Sequence, residues 1–150
     1  MTPSAWHPMM VHFPLALTVT GALVLTAARL PALGSHSPTL ATVGTLNLVL
    51  GAAALFLAVG TGLAAVASLD LPPASRAAVG LHVKWALFTS CALLLIAVWR
   101  GAGARWDARP TGMFLVMLWI VTAALVMTGY RGGENVYRYG VGVMSTAPHP

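Results

Sequence analysis

Acid is what this chain has least of: Asp70, Asp107 and Glu134 are the only carboxylate side chains among its 150 residues. They stand far apart in the sequence, so no pair of carboxylates is ready for general acid–base work. No nucleophile–base pair or phosphate-cradling loop accompanies them, and catalysis by this chain alone is not expected. Cysteine is nearly absent too. The one thiol, Cys91, excludes an internal disulfide, supplies at most one ligand, and reads as a small packing residue within an apolar run. Charge of either sign is scarce, at 7% of the residues. The eight basic residues give a net charge of +5, but they lie scattered between apolar runs. That pattern lacks the continuous basic face that tracks phosphates, which excludes nucleic acid as a partner; the cations read as helix-end anchors.

What the chain has in quantity is hydrocarbon. Hydrophobic residues make up 58% of the sequence, and the mean hydropathy is +0.82. Those values identify an integral membrane protein whose main partner is the lipid bilayer. A span needs about 20 apolar residues, rising 1.5 Å each, to cross a hydrocarbon core of about 30 Å. Four segments qualify, at roughly 10–30, 42–69, 77–99 and 113–130, followed by a tail at 131–150. The connections near Pro31, from Asp70 to Pro73 and from Gly101 to Pro110 hold most of the proline and charge, as helix ends do. The expected fold class is an all-α integral membrane four-helix bundle, one domain, with both termini on the same side. The first segment reads as a retained helix and not as a cleaved signal peptide, because no Lys or Arg precedes it and Arg29 is its first basic residue.

An even number of spans gathers particular residues on one face. His7 and His12 at the start of the first helix share it with Asp70, with His82 near the start of the third helix, and with the tail that begins at Arg131. The opposite face receives Arg29, Arg100, Arg105, Asp107 and Arg109, which read as anchoring charges; His36 there and His149 in the tail read as solvated. The first helix is uncharged before its start and followed by Arg29. That favours an outside N-terminus and hence a site on the periplasmic or exoplasmic side of the membrane.

Histidines at such depth need a reason, since an unpaired ionisable group in hydrocarbon costs roughly 2.5 kcal/mol or more. His12 and His82 sit at matched depth on different helices, as a bis-His b-type haem requires, one imidazole on each side of the iron. They are the preferred ligand pair, with His7 in reserve. His7 precedes His12 by five residues, a rotation of about 500° on a helix, so the two share a cofactor only if Pro8 breaks the chain between them. Pro14 has no N–H for the carbonyl of Met10 and is expected to kink the helix beside His12. Arg76, Lys84, Arg131 and Arg138 are the candidate partners for haem propionates or for a partner's carboxylate or phosphate. Copper or zinc held by His7, His12 and His82 is the alternative cofactor, imidazole suiting either metal. A cofactor-free membrane anchor is the other alternative. Ala54, Ala58 and Gly62 form a small-residue stripe, which predicts close helix packing or room for a flat macrocycle. Four glycines among residues 131–143 predict a turn back across the bundle mouth, as a lid.

The HPMMVHFP opening, the Gly60-Thr61-Gly62 run, His82 and the closing GGENVYRYGVGV together resemble a bacterial family of four-helix membrane proteins, the domain of unknown function two-two-three-one. The resemblance covers essentially the whole chain, and His7, His12, His82, Gly132, Gly133 and Glu134 stand at its motif positions. It implies a four-helix bundle and, through the company of cytochrome c-like modules, a place in respiratory electron transfer. In that role the chain would pass electrons between a quinone or periplasmic redox subunit, such as a c-type cytochrome, and a respiratory complex. This chain departs from the family at Tyr139, where a histidine is frequent, and at Ala64 and Ala65, where an acidic residue is frequent. If members hold two haems, the missing tail histidine puts the second in question here.

Overall fold

The computed structural model describes residues 3–103 and 105–143, so His149 lies outside the described residues. Helices α1 (Pro3–Met10) and α2 (His12–Ala27) are followed by a 3-10 turn at Pro31–His36, then α3 (Ser37–Ser68), α4 (Pro73–Gly101) and α5 (Gly112–Tyr137). No strand occurs among the described residues. Four helical spans are long and apolar enough to cross a membrane: Trp6–Ala27, Pro31–Ser68, Pro73–Gly101 and Gly112–Tyr137. At most 33% of any of their hydrophobic windows is buried within the protein. The outward remainder, with Leu95 70%, Phe56 67% and Ile120 63% exposed, is the surface an acyl-chain solvent would cover. Cys91 is part of that exposed surface and not of the core where its neighbours suggested it would pack.

The first span begins earlier than its apolar run. α1 already contains His7 and Pro8, and the interruption falls at Val11. Val11 keeps helical angles, and its N–H donates to the His7 carbonyl at 3.2 Å, so the axis continues. Pro14, with no N–H to give the carbonyl of Met10, accounts for the break. α3 is longer than a bilayer requires: 32 residues reach about 48 Å at 1.5 Å each, well beyond a core of about 30 Å.

Each span contributes one fully buried leucine to the centre: Leu25, Leu48, Leu93 and Leu118. In lipid such burial gains little from leaving solvent, so close packing and interhelical polar contacts must hold the bundle. The tightest approach is α2 on α3. A Cβ at Gly44 would stand 2.7 Å from the Leu25 side chain, and one at Gly51 would stand 2.9 Å from Thr18 Oγ1. α3 packs in turn on α4, α4 on α5, and α5 back on α2. The buried Thr89 and Thr128 hydroxyls meet at 3.1 Å between α4 and α5.

One end of the bundle is tied by arginine. Arg29 Nη1 donates to the Pro110 carbonyl at 2.8 Å, and Arg109 Nε donates to Ser37 Oγ at 2.8 Å. The Ser37 hydroxyl donates in turn to the Ala28 carbonyl at 2.8 Å. Arg100 donates to Thr45 Oγ1 at 2.9 Å and to the carbonyls of Trp106 and Ala108 at 2.9 and 2.6 Å. The expectation of plain anchors holds only for Arg105, in an exposed pair with Asp107 at 3.6 Å. The other three turn inward because the helix ends and the 102–111 connection present carbonyls that hydrocarbon leaves without water. His36 is exposed there, as expected.

Candidate functional site

The other end gathers the start of α1, the end of α3, the start of α4 and the end of α5. His7 of α1 lies half-buried against α3, with Nδ1 2.9 Å from the Ala58 carbonyl and 3.5 Å from Thr61 Oγ1. A carbonyl only accepts, so Nδ1 carries the proton and Nε2 keeps its lone pair. The close fit follows from Gly62, where a Cβ would stand 2.8 Å from His7 Cε1. Ala58 and Gly62 of the small-residue stripe thus receive a helix and its imidazole, so the packing reading of that stripe holds.

His82 of α4 repeats the arrangement on α5. It is half-buried, and a Cβ at Gly132 would stand 3.1 Å from its Cε1. Its Nδ1 is buried near the Thr128 backbone carbonyl, without a well-formed hydrogen bond among the described residues. The two imidazoles are near enough to interact electrostatically. Two helix pairs, α1 with α3 and α4 with α5, each seat one histidine on one glycine.

His12 is placed differently. It is exposed on the outer surface, because the helix runs unbroken from Pro3 through His7 and Pro8 and the five-residue spacing turns His12 away. The structure therefore brings His7, and not His12, into company with His82. No group of three His, Cys, Asp or Glu that would hold a metal ion forms among the described residues. His12 thus stands apart from the other two histidines of the expected copper or zinc set.

The four expected cations also separate. Arg76 is exposed and donates to the Leu71 carbonyl at 3.1 Å, and Lys84 is exposed. Arg138 is exposed and bonded to Glu134 at 2.9 Å, one helical turn away, which holds its guanidinium charged. Arg131 is half-buried, its guanidinium carbon 5.6 Å from the centre of the Trp85 ring and its Nε buried without a partner. Beside it is a cavity of about 350 Å³ lined by Ala74, Ala77, Ala78, Leu81, Arg131, Glu134, Asn135 and Tyr139.

The lid at 131–137 is not formed. α5 continues through Gly132 and Gly133 to Tyr137, and those glycines remain helical. The chain leaves the helix at Gly140, whose φ is 63°. There Gly140 N–H donates to the Val136 carbonyl at 3.0 Å, the single bond of an αL helix cap, and Val141 N–H donates to the Asn135 carbonyl, also at 3.0 Å. Gly62 was visible in the sequence as part of the small-residue stripe and Gly132 as part of the closing motif, but only the fold reveals what each accommodates.

The family model described as "Predicted membrane protein (DUF2231)" matches residues 3–145. No curated protein and no solved structure matches the chain.

Proposed function

The chain belongs to that family of predicted membrane proteins, and from this premise we propose that it is a membrane-embedded electron-transfer subunit that holds a b-type haem through His7 and His82. The carrying observation is the state of the two imidazoles. His7 gives its Nδ1 proton to the Ala58 carbonyl, which leaves Nε2 free, and His82 keeps its Nδ1 buried near the Thr128 backbone carbonyl without a well-formed hydrogen bond. A backbone acceptor on one nitrogen is the usual way a ligating histidine is oriented and its tautomer fixed. The donor set supports haem over a bare metal ion. Structural zinc takes four protein ligands and catalytic zinc three, whereas haem already supplies four nitrogens and asks the protein only for axial ligands. Two imidazoles with no third His, Cys, Asp or Glu grouped with them among the described residues suit haem best.

Haem supplies one-electron redox chemistry when bound. The protein's part is to fix the two rings. Gly62 and Gly132 let each imidazole lie close against the neighbouring helix, and the Thr89 to Thr128 contact ties α4 to α5 two turns below His82. The pair lies at one end of the bundle. That location suits exchange with a quinone or a periplasmic c-type cytochrome at a membrane surface, and the charge pattern around the first helix favours the periplasmic side.

The test is an optical spectrum of the detergent-purified protein, expressed with a haem supply, air-oxidised and then reduced with dithionite, with metal analysis on the same sample. A stoichiometric Soret band and a reduced α-band of the bis-His type are the expected result. A colourless protein would overturn the proposal. Bound copper or zinc in it would then favour a metal site, and none would favour an anchor.

A further inference from the structure

Arg131 is the one arginine of the described residues whose guanidinium has neither a hydrogen bond nor a carboxylate partner. Arg29, Arg76, Arg100 and Arg109 donate to carbonyls or hydroxyls, Arg105 pairs with Asp107, and Arg138 pairs with Glu134. It is also half-buried, with Nε shielded from solvent and its guanidinium held over Trp85 at 5.6 Å. A charge in that position is strongly favoured only when an anion completes its hydrogen bonds. We propose that the cavity of about 350 Å³ beside Arg131 is a site for a phosphate-type oxyanion, the phosphodiester of an anionic lipid headgroup or free phosphate, and that it is independent of the imidazole pair.

The lining fits that chemistry. Asn135 and Tyr139 add hydrogen-bonding side chains to Arg131 on the α5 side. Glu134 also lines the cavity, but its charge is engaged by Arg138 at 2.9 Å. On the α4 side Ala74, Ala77 and Ala78 keep the cavity open through small volume, and Leu81 continues it as an apolar wall one turn further into the bundle. A polar head with an apolar wall below it matches an amphiphile whose phosphate sits at the interface. α4 starts here at Pro73 without a side-chain cap, so its first turn adds positive potential.

The experiment follows the unfolding midpoint of the full chain in a non-ionic detergent, at constant ionic strength, during titration with three probes: short-chain phosphatidylglycerol, short-chain phosphatidylcholine and inorganic phosphate. Wild type is compared with Arg131→Gln, with Ala78→Met, which fills the cavity and keeps the charge, with Arg76→Gln as a charge-matched control, and with His82→Ala. The expected result is saturable stabilisation by phosphatidylglycerol, weakened about tenfold or more in Arg131→Gln and Ala78→Met, from the loss of one charge-assisted contact. Arg76→Gln and His82→Ala are expected to retain it. Stabilisation by phosphatidylglycerol without inorganic phosphate identifies a lipid headgroup, and stabilisation by both identifies a free oxyanion. An equal response to phosphatidylcholine, or an unchanged response in both Arg131→Gln and Ala78→Met, would overturn the proposal. Loss of the response in His82→Ala would overturn its independence. A colourless protein that still binds phosphatidylglycerol defeats only the haem reading, and a haem protein with no such response defeats only this one.

Discussion

The two ends of the bundle treat buried polar groups in opposite ways. At the arginine end, Arg29, Arg100 and Arg109 each reach across the chain to an acceptor, and Trp106 Nε1 donates to the Gly101 carbonyl at 2.8 Å. At the histidine end, His82 Nδ1 and Arg131 Nε are buried with no well-formed hydrogen bond among the described residues. A closed network is what hydrocarbon demands of a structural clasp. An open one in the same protein is where the proposed ligands would complete the bonding. The third orphan, Thr18 Oγ1, is of another kind: it lies inside the α2 to α3 contact against Gly51, where the packing is too close for anything to enter.

The comparison breaks most readily at Arg100. Its replacement by alanine strips three acceptors of one charged donor, with an expected loss of about 2–4 kcal/mol, read from the unfolding midpoint in detergent. Cofactor content per folded molecule is expected to stay at the wild-type level. A stable Arg100→Ala protein that has lost its cofactor would reverse the roles assigned to the two ends.

The glycine seats sharpen the contrast at intermediate size. Gly62→Ala puts a methyl 2.8 Å from a ring that is also hydrogen-bonded, so His7 must leave the Ala58 carbonyl; about 1–3 kcal/mol and a fall in cofactor occupancy are expected. Gly132→Ala meets His82 at 3.1 Å, which a shift of a few tenths of an ångström relieves. Less than about 1 kcal/mol and partial occupancy are expected, from the same unfolding and absorbance measurements. Equal effects at the two glycines would show that the rings are not held as the fold places them. Smallest of all is Arg138→Gln: its ion pair is exposed and one turn apart, so no measurable change in either quantity is expected.

How much of this was legible in the sequence follows from which forces act locally. The four spans were readable because each needs only a run of apolar residues. Their ends were not, since α4 gains a turn at Pro73 and α5 carries Gly132 and Gly133 in helical form, where packing against His82 outweighs glycine's poor helix propensity. Depth along the axis was readable from residue spacing and brought His82 level with the first helix. Which imidazole faces it was not, because that turns on whether Pro8 breaks the helix, and α1 runs through it. The arginine clasp was invisible for a different reason: Arg29 and Pro110 meet only after the two spans between them, α3 and α4, have folded back.

The most direct test of the central claim is a comparison of His7→Ala, His82→Ala and His12→Ala by reduced-minus-oxidised absorbance, each normalised to folded protein. The paired-imidazole account predicts that the haem bands are lost in His7→Ala and in His82→Ala and unchanged in His12→Ala. Bands that survive in His7→Ala and vanish in His12→Ala would contradict it.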